Sequence, residues 1–176
     1  VDFVVQVKAI LTTEEIGRII KNCISVKSLK RRMVGVFSTG HDDKLYCIDR
    51  IPYIVLAFTS KLQLRTVTQH LNTMLSTIPL EFHPDAIFII KVGCVLNYHD
   101  GNGFTLTKDD GKRLKGLATI FSGDGTLLEL IQFISRYVPK FLTTERPLKF
   151  YLPQGLSYAV EGQNQDGSAV VLPARQ

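Results

Sequence analysis

Gln6 and Lys8, in the opening run VDFVVQVKAIL, are the residues whose types and spacing point to chemistry. Val1 to Leu11 reads as a β-strand rich in Val4, Val5 and Val7. Side chains alternate across a strand, so Asp2, Gln6 and Lys8 share one face while Val5 and Val7 take the opposite, apolar one. Oxygen donors on such a face can hold Mg²⁺ against a phosphodiester. A lysine beside them can orient water and offset phosphoanionic charge. Asp2 and Gln6 are therefore the candidate metal ligands, Gln6 and Lys8 the candidate catalytic pair, and Mg²⁺ the expected cofactor. Gln6 offers a neutral carbonyl oxygen where a carboxylate would bring a full charge to the metal. Asp2 lies ~13 Å from Gln6 at ~3.3 Å per residue along the same strand. The metal-binding Asp is thus expected either upstream of Val1, since the chain opens without Met inside an apolar alternating segment, or to be absent.

The elements that must position this pair are legible in outline. Thr12 and Glu15 have capping-box spacing, which starts a helix. Ile16, Ile19, Ile20, Cys23 and Ile24 form its apolar stripe, and it runs to about Lys27 or Leu29. Its end carries a basic cluster, Lys27, Lys30, Arg31 and Arg32. These are candidate contacts to a nucleic-acid backbone, although cations at a helix C-terminus also answer the helix dipole. Met33 to Phe37 suggests a short strand, and Thr39 to Ile51 a polar surface excursion. Tyr53 to Thr59 is an unbroken apolar run, the pattern of a strand covered on both faces. Ser60 is placed to cap a second helix with Leu64, Val67, Leu71, Met74, Leu75 and Ile78 inward, stopped by Pro79.

Ala86 to Val92 reads as another buried strand, with Cys94 to Tyr98 pairing back through Gly93. A turn at Asp100 to Gly103 precedes Phe104 to Thr107, then come a charged loop over Lys108 to Lys115 and a strand over Leu117 to Phe121. A third helix over Gly125 to Leu142 is expected to point Leu127, Leu130, Ile131, Ile134 and Val138 inward. The expected architecture is α/β: a central mixed sheet flanked by helices, as one domain over 1–142, with residues 143–176 as short strands and turns or a tail. The two run-on apolar strands should be central.

VVQVKAILTTEEIGRIIKNCISVKSLKRR, then YIVLAFTS, a Leu-spaced helix and HPDAIFIIKVGCVLNY together resemble an uncharacterised bacterial family of restriction-endonuclease-like, PD-(D/E)XK-type domains. Its members read V-I-E-V-K-S-T-L-T in the first strand and helix cap, with an S-V-K-S-L helix end and an A-F-x-S strand. The resemblance spans roughly Val4 to Tyr137. It implies a restriction-endonuclease-like fold and, in intact members, metal-dependent phosphodiester cleavage. Here V-Q-V-K stands in place of V-E-V-K, so Gln6 occupies the family's Glu position; Gln-x-K variants do occur in the wider superfamily.

Composition narrows the classes. The 176 residues are 45% hydrophobic and 21% charged, which excludes a disordered chain. No apolar run approaches the roughly 20 residues of a membrane span, and no signal peptide opens the chain, so no membrane partner is expected. A net charge of +5 and a pI near 9.2 permit DNA or RNA as partner without choosing between them. Cys23, Cys47 and Cys94 show no paired spacing and read as thiols in a reducing cytoplasm. The phosphate-binding glycine loops and the G-x-S-x-G elbow are missing. His41, His70, His83 and His99 have no metal-ligand spacing, and paired Asp42-Asp43 and Asp109-Asp110 read as solvated loop charges. Two functions stay open: a nuclease-like domain bound to nucleic acid, and a catalytically silent α/β domain for assembly, forming a homo-oligomer within a bacterial defence or mobile-element protein.

Overall fold

The computed structural model describes residues 3–29, 51–99, 114–137, 159–164 and 169–172. Strand β1 (Val4–Leu11) leads through Thr12 into helix α1 (Thr13–Lys27). Strand β2 (Tyr53–Ser60) leads to helix α2 (Leu64–Leu75), and a short 3-10 turn at Leu80–Phe82 precedes β3 (Ala86–Ile89). Strands β4 (Gly93–Asn97) and β5 (Leu114–Phe121) follow, then helix α3 (Thr126–Tyr137) and strands β6 (Ala159–Asn164) and β7 (Ala169–Leu172). The strands lie in chain order across one sheet. β1, β2 and β3 are parallel, and every pairing from β3 to β7 is antiparallel.

Alternation divides the core into two layers. Tyr53, Val55 and Ala57 of β2 and Ile87 and Ile89 of β3 face α1 and α2, where they meet Ile16, Ile19, Cys23, Val67 and Leu71. Ile54, Phe88, Cys94, Leu96 and Ile120 face the other way, onto Leu130 and Phe133 of α3. The Phe88 and Phe133 rings meet edge to face at 5.7 Å. Covered on both faces over Tyr53 to Ala57 and Ala86 to Ile89, β2 and β3 need continuous apolar sequence there, which is why those runs are legible.

The expected α/β sheet flanked by helices is present, and several of its details differ. Ser60 does not cap α2; its hydroxyl bonds Leu62 N and O in a tight turn, and Gln63 holds the cap position. The run after Ile89 leaves the sheet, because Lys91 adopts a left-handed φ of 62° and turns the chain into β4. Gly93 then has φ 148°, and a Cβ there would lie 2.1 Å from the Ile120 carbonyl oxygen, so only glycine fits. Leu114 and Lys115 belong to β5 rather than to a loop.

On α3, Leu127 and Ile131 are exposed, whereas Phe133, absent from the expected stripe, is buried. Val7 of β1 is likewise 55% exposed. Among the described residues, α3 packs on β3 and β4. The expected strands over 33–37 and 104–107 and the inward Val138 lie outside the described residues. No helix among the described residues is long and apolar enough to cross a membrane.

Candidate functional site

β1 runs parallel to β2 with Gln6 opposite Val55 and Lys8 opposite Ala57, so Gln6 and Lys8 do share one strand face. That face is the α1 side of the sheet. The Tyr53 hydroxyl donates a hydrogen bond to Gln6 Oε1. Gln6 and Tyr53 also line a shallow cleft with Asn22 and Ser25 of α1. Burial pushes the Tyr53 phenol well above its ordinary pKa, so it stays a neutral donor.

Lys8 reaches the first turn of α1. Thr12 Oγ1 accepts from Glu15 N at 3.3 Å, which is half of the capping box. The Glu15 carboxylate turns instead to Lys8, whose Nζ pairs with Glu15 Oε2. Glu15 Oε1 meets Arg18 Nη1 at 2.7 Å, and Arg18 Nη2 meets Glu14 Oε1 at 2.6 Å. The Lys8 and Glu15 side chains are 20% and 19% exposed, while Arg18 and Glu14 stand open to solvent. The hydrogen bond from Lys8 is the largest influence on the Glu15 carboxyl; desolvation, next in size, opposes it, and the Lys8 and Arg18 charges tip the group below its usual range. Two cations and two carboxylates thus form one electrically neutral chain.

Among the described residues one carboxylate, Glu15, stands beside Lys8 and is paired with two cations, and the Gln6 oxygen accepts from Tyr53. Among the described residues no three His, Cys, Asp or Glu side chains converge as metal ligands. Asp2, Lys30, Arg31 and Arg32 lie outside the described residues.

Lys27 is described, and its placement corrects the expectation of a phosphate contact. Its side chain is 2% exposed, with Nζ 2.6 Å from Asp85 Oδ2. Asp85 Oδ2 also accepts from Tyr53 N at 2.7 Å, and Asp85 Oδ1 lies 3.1 Å from His99 Nε2. Asn97 fixes the rim: Nδ2 donates to Pro84 O, and Oδ1 accepts from His99 N. Burial would raise the Asp85 pKa, but the Lys27 charge and His99 outweigh it and hold the carboxyl below its usual value. Nearby, burial pushes the Cys23 thiol up to about 12, so it is an inert donor to Phe82 O.

Asp85 and His99 are the groups that residue spacing missed. The β3–β4 register, Ala86 opposite Leu96, brings Asp85 level with Asn97 and His99 just beyond it. A hairpin through Gly93 contains that information. Lys27 also carried a signal: it continues the stripe Ile16, Ile20, Cys23 at helical spacing. Compared with known proteins, no family model matches this chain and no curated protein matches it.

Proposed function

We propose that this chain is a nuclease-like, nucleic-acid-binding domain of restriction-endonuclease-like fold, working in the cytoplasm, with Lys8 as its phosphate contact. The observation that carries the reading is the placement of Gln6 and Lys8 on one face of β1 at the mouth of α1. An ammonium there, once released from Glu15, can meet a phosphate and offset its charge. Phosphate binding is carried further than cleavage, because Gln6 is neutral and the nearest carboxylate, Glu15, is already paired.

A plasmid-nicking assay in Mg²⁺ and in Mn²⁺ tests the catalytic half. It compares the chain, Gln6→Glu, and Gln6→Glu with Lys8→Ala. Nicking that rises with Gln6→Glu and vanishes with Lys8→Ala is the expected outcome. No nicking in any variant, with no retention of a labelled duplex, would sink the reading.

A second reading, assembly of copies of this chain, is favoured by one observation. Val7 and Phe58 are each 55% exposed on adjacent strands, an apolar surface without an assigned role. Sedimentation over a concentration series distinguishes it: a mass that climbs with concentration and falls back in Phe58→Ser supports assembly.

A further inference from the structure

Three features outside the chemistry above invite a role: the buried Lys27–Asp85–His99 cluster, the exposed apolar pair Val7 and Phe58, and the ion-pair chain at the start of α1. The first is almost fully closed off from solvent, and nothing on the second says what covers it. The third has a specific consequence.

Lys8 does not stand ready for an anion. Its ammonium is held by Glu15, whose other oxygen is held by Arg18, which in turn binds Glu14. The group carries no net charge, and Glu15 sits at its centre. A phosphate approaching Lys8 meets the field of a carboxylate already bound to it. The capping geometry does not require this arrangement, since Thr12 caps the helix through its hydroxyl alone. Glu15 is free to bond back to the helix N-terminus, yet its carboxylate faces the strand.

We infer that Glu15 is an autoinhibitory gate on Lys8: the resting domain keeps its phosphate-binding cation neutralised, and nucleic acid binds by displacing Lys8 from Glu15. The inference rests on the Lys8 reading above. Displacement trades one charge-assisted contact for another, so affinity is low while the gate is closed and rises when Glu15 loses its charge. Lys8 then presents its cation to the polymer, while Arg18 keeps its pair with Glu14.

The test measures binding of a short fluorescein-labelled DNA duplex, and of an RNA duplex of the same sequence, to the full chain and three variants by anisotropy. Glu15→Gln keeps the shape and removes the charge. It is expected to tighten binding about fivefold at low salt, the scale of one partly exposed ion pair. Its salt dependence should steepen by roughly one unit of slope, one more phosphate contact. Adding Lys8→Ala to Glu15→Gln should cancel the gain, and Glu14→Gln alone should change affinity less.

Equal affinities for the chain and Glu15→Gln would overturn the gate while leaving phosphate binding intact. A gain that persists without Lys8 would also overturn it, since the effect would then be bulk charge. If no variant binds either duplex, both the gate and the phosphate reading fall. Amine labelling of Lys8, read by peptide mass spectrometry, gives a result independent of nucleic acid. Labelling should be faster in Glu15→Gln, and an unchanged rate would count against the gate even where binding shifts.

Discussion

Helix α1 has a charged cluster at each end, and the two are built from the same chemistry in opposite environments. At its start, Lys8, Glu15, Arg18 and Glu14 share ion pairs in partial or full contact with water. At its end, Lys27 and Asp85 meet inside the protein with His99 and the Tyr53 amide. Water screens Arg18 and Glu14 and reaches Lys8 and Glu15 in part, so the first set exchanges partners at less cost than a buried one. The second set has no solvent to fall back on, and every hydrogen bond it makes must be kept. Burial, not charge type, separates a cluster whose charges are partly open to exchange from one committed to holding the fold.

The sharpest way to break the contrast is Asp85→Ala. It leaves the Lys27 ammonium buried without its carboxylate and the Tyr53 amide without an acceptor. A loss of about 4 kcal/mol is expected in denaturant unfolding, the scale of breaking one side of a buried ion pair. A loss below about 1 kcal/mol would mean that the cluster is hydrated after all. Lys27→Met should cost less, about 2 kcal/mol, because Asp85 keeps His99 and the Tyr53 amide while methionine fills the stem's volume. The same melts measure it.

Acid titration sharpens the comparison further. The Asp85 carboxyl sits below its ordinary value in the fold, so the stability it contributes is fully present above the unfolded pKa of about 4. It is lost as pH falls through the lower folded value. Stability measured against pH should therefore decline below about pH 4, and Asp85→Asn should flatten that decline. The smallest effect belongs to the other end of α1. Glu15→Gln should leave the unfolding midpoint nearly unchanged, with any shift shrinking as salt is added. A large, salt-insensitive shift would place that cluster with the buried one.

Much of this contrast was legible in residue order, and the reasons are local. β2 and β3 announced themselves through Tyr53 to Thr59 and Ala86 to Ile89, since a strand covered on both faces admits no polar alternation. Thr12 and Glu15 marked the start of α1 correctly, but the spacing could not say whether the carboxylate would cap the helix or cross to Lys8. Lys27 was misjudged because a basic run after it, Lys30 to Arg32, suggested a solvated helix end. Its place on the Ile16, Ile20, Cys23 stripe was the better guide. Leu127 and Ile131 look as apolar as Leu130; which of them is covered depends on where α3 rests on the sheet, and helical period alone does not contain that. The Gln6 and Lys8 pairing to one face followed from strand parity, whereas the Tyr53 bond to Gln6 needed the β1–β2 register.

The β3–β4 turn at Lys91 and Gly93 bears on the order in which the protein assembles. β3 and β4 are joined through a few residues, whereas β1 reaches β2, and β2 reaches β3, only by way of long crossovers. The hairpin can therefore close early and bring Asp85 and His99 together while Asp85 is still hydrated. Lys27 arrives only when α1 docks, so the cost of drying the carboxylate falls late, on the native side of the barrier. Asp85→Asn should then speed unfolding far more than it slows folding in stopped-flow experiments. A matching loss on the folding arm would instead place the Lys27 contact in the nucleus itself.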